Sequence, residues 1–343
     1  MTMRFDILTI FPNFFSGPLD YGILSRAIAI GTVQVVTHDL RDFTHDRHRT
    51  VDDRPFGGGE GMVLKPQPIF DCIESLGAPS DPNETNDCHS DPELAEGEES
   101  PHFARSAIHY AVSESAITKK HNTDQLNTSK IESDRSITGI APKSTRDLTR
   151  QSVILLSAQG KPFTQATARR LATLDRVVLI CGRYEGVDER ISDLLADQEL
   201  SIGDYVLSGG ELAAAVVLDA TVRLLPGVLG HADSSRYESF GVPDIQPGDP
   251  GDGKTADGVP RSTHGSGGIL DYPQYTRPAD FHGTPIPEVL AAGDHSAIRR
   301  WRRQMALAKT LRNRPDLLAH APLTDEDRAF LASIGFFAAR ANS

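Results

Sequence analysis

Arg223 and Glu238 are the clearest candidates for acid–base chemistry in this sequence. Arg223 closes the apolar stretch "ELAAAVVLDATVRLL", and Glu238 lies in "RYESF", shortly after the turn "PGVLGH". A carboxylate can accept a proton, and a nearby guanidinium can stabilise the negative charge that develops. The alternative is a surface salt bridge that contributes at most about 1 kcal/mol. The two residues alone leave both interpretations open.

Three glycine-bearing segments follow predicted strands in the middle of the chain. They are "LLSAQG" (155–160), "CGRYEGVDER" (181–190) and "SIGDYVLSGGE" (201–211). Glycine packs little in a strand, so its presence suggests that a ligand or a second backbone comes close. Ligands of open α/β sheets lie at the carboxyl ends of strands. We therefore predict one pocket for a flat ligand, with ordinary strand–turn–helix junctions as the alternative.

The polar loop "HDRHRTVDDRPFGGGEGM" (45–62) is a third candidate. It matches neither GxxxxGK[ST] nor GxGxxG, which disfavours the two common nucleotide-binding motifs. Its arginines could contact phosphates, or the loop could simply be solvated. His45 and His48 could bind a metal, but no second pair of ligands lies nearby, so we predict no metal site here.

The charge of the chain is unevenly distributed. The net charge is -12, which by itself argues against a nucleic-acid partner. Residues 66–104, however, contain ten acidic residues and no lysine or arginine, whereas "RRWRRQMALAKTLRNR" (299–314) has seven basic residues and no acidic one. A basic surface can therefore exist within an acidic chain.

Composition excludes several protein classes. Hydrophobic residues make up 38% of the chain and charged residues 24%, and no apolar run approaches the ~20 residues that span a bilayer. The amino end has no recognisable signal peptide. The three cysteines, Cys72, Cys88 and Cys181, fit neither a disulfide framework nor a zinc site. We expect a cytoplasmic protein.

Strand-like and helix-like segments alternate, which predicts an α/β fold. The strands are predicted over 4–11, 33–40, 152–157, 176–181 and 199–207, and the helices over 20–31, 67–76, 164–174 and 211–225. Two more helices, 295–318 and 324–336, predict a small helical second domain. The tracts 77–150 and 242–268 bury too little apolar surface to fold, so we predict a largely disordered acidic insertion and a Gly/Pro/Asp-rich linker.

Five motifs in a fixed order resemble those of the bacterial tRNA (guanine-N(1)-)-methyltransferases, the TrmD type of the SPOUT superfamily. They are "DFTHDRHRTVDDRPFGGGEGM", "CGRYEGVDER", "SIGDYVLSGGE", "PGVLGH" and "LDYPQYTRP". The resemblance covers residues 1–76, 151–241 and 269–334. Enzymes of this family methylate the guanosine immediately 3′ of the anticodon with S-adenosyl-L-methionine.

The resemblance implies a trefoil-knotted catalytic domain (1–76 and 151–241), a helical tRNA-binding domain (269–343) and a homodimer whose active sites combine both chains. It implies a donor site at Leu156, Gly182, Tyr184, Gly186, Ile202, Gly203, Asp204, Tyr205, Val206, Leu207, Gly209 and Gly210. The predicted tRNA contacts are His45, Arg47, Arg49, Arg54, Arg299, Arg300, Arg302 and Arg303, with Trp301 among the last four. The residues leave open whether magnesium is required.

Glu238 stands where the family usually has its catalytic aspartate, while Arg223 matches the family's arginine. An extra methylene moves a carboxylate by ~1 Å, which can cost on the order of 100-fold in rate. We interpret Glu238 as the base, because no other acid follows Asp233 in that loop. The rival hypothesis is a non-catalytic SPOUT-like RNA-binding protein that retains the donor pocket; a nicotinamide-dependent oxidoreductase is more remote, because the glycine fingerprint is missing.

Deleting Ser80–Ser144 should leave the affinity for tRNA equal or tighter, because this tract is predominantly acidic and would repel phosphates. Titration of labelled tRNA with the full-length and shortened proteins at one salt concentration measures the effect. A large loss of affinity would show instead that the insertion takes part in tRNA binding.

Overall fold

The computed structural model describes residues 2–77, 149–230, 238–241 and 267–335. Nearly all of the predicted acidic insertion (77–150) and linker (242–268) lies outside these residues. The chain divides into two compact units, Met1–Glu74 with Arg146–Ser343, and Ser75–Thr145. Apart from residues 75–77, the described residues all belong to the first unit.

The centre of the fold is a five-stranded parallel sheet, which confirms the predicted α/β class. Its strand order is β2-β1-β6-β5-β7. The strands are Met3–Thr9 (β1), Val33–Asp39 (β2), Gln151–Pro162 (β5), Arg176–Cys181 (β6) and Gln198–Ser201 (β7). Two small antiparallel pairs accompany it: Asp52–Asp53 (β3) with Val63–Leu64 (β4), and Asp280–Phe281 (β8) with Thr284–Pro285 (β9).

Helices are interspersed with the strands along the chain. They are Ser16–Leu19 (α1), Gly22–Ala29 (α2), Pro66–Gly77 (α3), Gln165–Leu171 (α4), Glu189–Leu194 (α5), Glu211–Val222 (α6), Glu288–Ala291 (α7), His295–Asn313 (α8) and Asp325–Ser333 (α9). Short 3-10 helices span Pro12–Phe15, Leu40–Phe43 and Pro315–Ala319. None of the described helices is long and apolar enough to cross a lipid bilayer.

The main core joins the sheet to α2, α4 and α6. Phe5, Ile154 and Leu179 are fully buried in neighbouring strands, and Ala214 and Leu218 of α6 pack into the same cluster. β1 is buried along almost its whole length, as expected of a parallel strand with covered faces. A smaller cluster around Ile269, Ala306 and Leu307 holds the carboxyl-terminal helices together.

Two predicted elements end earlier than the sequence pattern suggested. The strand predicted over 199–207 stops at Ser201, because Gly203 turns the backbone with a φ of +156° and the Ser201 hydroxyl bonds the Gly203 carbonyl at 2.9 Å. The helix predicted over 295–318 ends at Asn313, before Pro315, which has no N–H to continue it. The residues freed after Ser201 form a loop.

A buried carboxylate organises the polar edge between β1, β2 and β6. Asp6 is fully buried, and its carboxylate accepts hydrogen bonds from Arg4, from His38 Nε2 at 2.8 Å and from Arg176 Nε at 2.7 Å. Burial by itself would raise the pKa of Asp6, but the hydrogen bonds from these three partners outweigh it and hold the pKa well below its usual range. The charged carboxylate therefore stabilises the folded sheet.

Asp6→Asn should lower the free energy of unfolding by about 3 kcal/mol at neutral pH, because it leaves the partly buried guanidinium groups of Arg4 and Arg176 without the buried anion that they contact. Since the folded-state pKa of Asp6 lies below its unfolded value, this stabilisation is complete above about pH 4 and is lost as the pH falls further. Urea unfolding across this range measures it, with the exposed Asp20→Asn as control. Equal unfolding curves for both variants would contradict this assignment.

Candidate active site

A cavity of about 260 Å³ opens at the carboxyl ends of β6 and β7 and beside the irregular middle part of β5. The segment 155–160, which was predicted to follow a strand, lies within β5, because this strand continues to Pro162. The walls of the cavity are the three glycine-bearing segments that the sequence singled out. Of the residues predicted to hold the methyl donor, it is lined by Leu156, Gly182, Tyr184, Gly186, Ile202, Gly203, Tyr205, Val206, Leu207, Gly209 and Gly210. Asp204 is exposed and is not among the lining residues. The structure thus brings together segments that are far apart in sequence.

The segments that follow β6 and β7 cross each other in direct backbone contact, with almost no side chain between them. The amide of Gly210 donates to the carbonyl of Gly182 at 2.9 Å, and Arg183 and Gly209 form an isolated antiparallel bridge. A Cβ atom on Gly210 would lie 2.7 Å from Cys181 Cα. The close approach, and not the backbone conformation, therefore requires glycine at this position.

A polar contact that the sequence did not reveal supports this crossing. Glu211 is buried at the start of α6; it accepts a hydrogen bond from Thr9 Oγ1 at 2.7 Å and pairs with Arg183 Nε at 3.3 Å. The guanidinium of Arg183 also lies 4.4 Å from the centre of the Phe11 ring. Burial, together with the charge of Glu211, raises the pKa of the Cys181 thiol well above its usual range, which keeps it protonated.

Arg223 and Glu238 form a bidentate ion pair, with Nη1–Oε1 and Nη2–Oε2 distances of 2.5 and 2.6 Å. Arg223 immediately follows α6, where a cation interacts favourably with the helix dipole. The hydrogen bond to Glu238 raises the pKa of Arg223. Both side chains are about one-quarter exposed, so the pair remains accessible. Neither residue is among the described residues that line the cavity.

Glu238 belongs to a short turn, 238–241, that is tied to the carboxyl-terminal part of the chain. The amide of Phe240 donates to Ile269 O at 2.8 Å, and that of Gly268 donates to Gly241 O at 2.9 Å. From α4, Arg169 Nη1 donates to Phe240 O at 2.9 Å. Sequence reasoning missed Arg169, because its contact is 71 residues away along the chain.

The predicted tRNA contacts of the first loop are largely accessible. Arg47 and Arg54 are exposed, and their guanidinium groups form no ion pair within the described residues, whereas His45 Nε2 lies 3.0 Å from Asp71 Oδ2 and Arg49 pairs with Asp42. Within the described residues, no three His, Cys, Asp or Glu side chains cluster in a way that could hold a metal ion. These basic groups lie along the loop and do not converge on one ligand.

The four arginines at the start of α8 differ in their surroundings. Arg300 pairs with Glu326 at 3.3 Å, and the guanidinium of Arg302 lies 4.9 Å from the centre of the Tyr272 ring. Arg303 is buried and forms a bidentate pair with Asp327, one N–O distance being 2.9 Å. The prediction that Arg303 contacts tRNA is therefore corrected: its charge pairs with Asp327 and joins α8 to α9.

Gly210→Ala should destabilise the fold by about 1–3 kcal/mol, because the added methyl group meets the backbone at Cys181, which cannot move without disturbing β6. Gly17→Ala is the matched control, since a Cβ there meets no atom within 4 Å. Chemical unfolding of the two variants measures the difference. Equal stability of both would show that the two segments do not cross as closely as described.

The comparison with known proteins agrees with this site. The family model described as tRNA (Guanine-1)-methyltransferase TrmD matches residues 3–86 and 136–320. The tRNA (guanine-N(1)-)-methyltransferase of Koribacter versatilis is 46% identical over 97% of this chain and 98% of its own length. The enzymes so named from Dictyoglomus turgidum and Heliobacterium modesticaldum are 40% and 39% identical, over 97% and 96% of this chain and 96% and 90% of their own lengths.

These matches confirm the resemblance inferred from the motifs. The family match includes all three segments that line the cavity and both members of the Arg223–Glu238 pair. It leaves out residues 87–135, which fall within the predicted acidic insertion. This chain belongs to the tRNA (guanine-N(1)-)-methyltransferase family.

Proposed function

We propose that this protein transfers a methyl group from S-adenosyl-L-methionine to N1 of the guanosine immediately 3′ of the anticodon in tRNA. Its family membership implies a tRNA methyltransferase that uses this donor. The observation that carries the proposal is the cavity in which the three motif-bearing segments meet. The family name specifies guanine N1 as the methylated atom, and the position of that guanosine in the tRNA is what the proposal adds.

The cavity fits such a donor. Its walls combine main-chain groups of the glycine-bearing segments, with Gly182, Gly209 and Gly210 among the lining residues, and the apolar side chains of Leu156 and Leu207. Main-chain N–H and C=O groups can read the edge of an adenine ring, and apolar side chains can cover its faces. Tyr184 adopts a left-handed conformation with a φ of +59°, an uncommon state that often occurs at functional sites.

The chemistry of the acceptor explains why the site needs both a carboxylate and an arginine. N1 of guanine carries a proton at neutral pH. The donor supplies an electrophilic methyl group. As the methyl–sulfur bond breaks and the N1–methyl bond forms, the N1 proton passes to a carboxylate oxygen of Glu238. Arg223 can then stabilise the negative charge that develops on O6.

The ion pair between Arg223 and Glu238 must change before Glu238 can accept a proton. Both carboxylate oxygens of Glu238 are hydrogen-bonded to Arg223. We infer that the bidentate contact opens when guanine enters, so that one oxygen faces N1 and one guanidinium nitrogen faces O6. The longer side chain of glutamate would let the carboxylate reach the guanine from the turn at 238–241.

A homodimer with composite active sites is part of the proposal. Arg223 and Glu238 are not among the described residues that line the cavity of their own chain. Leu212 and Val216, one turn apart on α6, are 51% and 46% exposed and offer an apolar surface for a second copy. These observations support a site in which the donor cavity of one chain faces the ion pair of the other.

We also propose the trefoil knot that is characteristic of SPOUT proteins. β5 continues through an irregularity between Leu156 and Lys161 and pairs with β7 on both sides of it. The segment after β7 then returns to contact the loop after β6 at Gly182. Such crossings support a knotted path, although knots are rare among protein folds in general.

The tRNA would extend over the helical part, which we propose as a tRNA-binding domain at 269–343, and over the loop at 45–62. The basic residues proposed to contact the tRNA are His45, Arg47, Arg49 and Arg54 in the loop and Arg299, Arg300 and Arg302 on α8. Such contacts to phosphates position a nucleic acid without reading its sequence. We also propose a cytoplasmic location, which the tRNA substrate supports, and a role for magnesium remains a hypothesis.

Glu238→Gln should lower turnover by about 100-fold to 10,000-fold and leave donor binding intact, because the amide cannot accept the N1 proton while the cavity is unchanged. The assay follows labelled methyl transfer from S-adenosyl-L-methionine to an unmodified tRNA transcript and maps the methylated nucleotide. Glu288→Gln, on exposed α7, is the control.

Wild-type-like methylation by Glu238→Gln would exclude Glu238 as the base. If the wild-type protein bound donor and tRNA without transferring methyl, the rival hypothesis of a non-catalytic RNA-binding protein would hold instead. Methylation at a different nucleotide would contradict the proposed position.

A further inference from the structure

Arg169 occupies an unusual position beside the Arg223–Glu238 pair. It lies on α4, is partly buried, and its Nη1 donates to Phe240 O at 2.9 Å. Among the described residues, its buried Nη2 has no hydrogen-bond partner. A buried guanidinium nitrogen without a partner is costly, so its presence needs a reason other than packing.

The hydrogen bond from Arg169 holds Phe240, a residue with a strained backbone conformation, in the turn that contains Glu238. Phe240 has a φ of +62°, in the left-handed region that residues with a Cβ atom rarely occupy. Such a conformation costs on the order of 1–3 kcal/mol and persists only where its surroundings hold it in place. The Phe240 amide is held by Ile269 and its carbonyl by Arg169. The orientation of the preceding residues, including Glu238, depends on both contacts.

Two guanidiniums, those of Arg169 and Arg223, lie near the carboxylate of Glu238, and Asp219 also interacts with Arg223. Burial, together with the positive charge of Arg223, lowers the pKa of Arg169, while Glu238 acts in the opposite direction. A second guanidinium beside the Arg223–Glu238 pair suits a place where negative charge appears during a reaction.

We propose that Arg169 is a positioning residue of the methyl-transfer site: through its hydrogen bond to the Phe240 carbonyl, it holds the turn that presents Glu238. This inference rests on the proposed function, because it assigns Arg169 a role toward the proposed base. Arg169 does not itself need to contact the guanine.

Arg169→Ala should lower kcat by about 100-fold, because a shift of about 1 Å in the base is enough for such a loss. The affinity for S-adenosyl-L-methionine, measured by calorimetry, should not change, since Arg169 does not belong to the described lining of the cavity. The control is Arg170→Ala, its exposed neighbour, whose Nη2 donates to Gln198 Oε1 at 2.8 Å. This control should turn over at the wild-type rate.

Two readouts separate positioning from a merely structural effect. A general loss of structure would weaken donor binding together with kcat, whereas a misplaced turn lowers kcat and leaves the donor affinity unchanged. Arg169→Lys keeps a donor that can reach the Phe240 carbonyl and should restore most of the rate.

The proposal is overturned if Arg169→Ala matches Arg170→Ala in rate, if its loss of kcat comes with an equal loss of donor affinity, or if Arg169→Lys is as slow as Arg169→Ala. Should Arg169→Ala fail to fold, Arg169→Met compared with Arg169→Lys decides, because only the lysine variant retains a hydrogen-bond donor for the Phe240 carbonyl. Wild-type turnover and its loss in Glu238→Gln test the proposed function separately. If those two results hold and Arg169→Ala behaves as its control, only the role of Arg169 fails.

Discussion

The rest of this structure depends on one backbone contact, between Gly182 and Gly210, where neither residue has a side chain. The 2.9 Å hydrogen bond between them brings the loop after β6 against the start of α6. Any side chain at Gly210 would separate them, because its Cβ atom would meet the backbone of Cys181. With the two segments in contact, the third segment, which lies within β5, closes the cavity. The pair of buried Glu211 and partly buried Arg183 supports this contact without filling the cavity.

Arginines have distinct tasks in this acidic chain. Arg303 is buried against Asp327 and joins two helices, whereas Arg223 holds Glu238 in a partly exposed pair. Breaking a buried pair is costly because it leaves an uncompensated charge, while a partly exposed pair can exchange partners at lower cost. The first arrangement suits a structural contact. The second suits a site where a carboxylate must release a guanidinium to accept a proton.

Much of the fold could be predicted from the sequence, because the buried strands and amphipathic helices follow simple periodic patterns. That the segments at Gly182 and Gly210 line one cavity was also predictable, since these glycines stand where a strand ends and a helix begins. Other features depend on contacts between distant residues, which a single sequence does not display. Arg303 has the same local pattern as the neighbouring arginines, and only the packing of α9 shows that it is buried. Arg169 has no motif, and its contact with the carbonyl of Phe240 appears only in the fold.

The most direct test of the central claim is calorimetric titration of the purified protein with S-adenosylhomocysteine, the demethylated form of the proposed donor. If the crossing segments form its binding site, the protein should give a saturable heat of binding, and Gly210→Ala should weaken it while Gly17→Ala does not. The absence of any heat with the wild-type protein, or equal binding by both variants, would contradict the account.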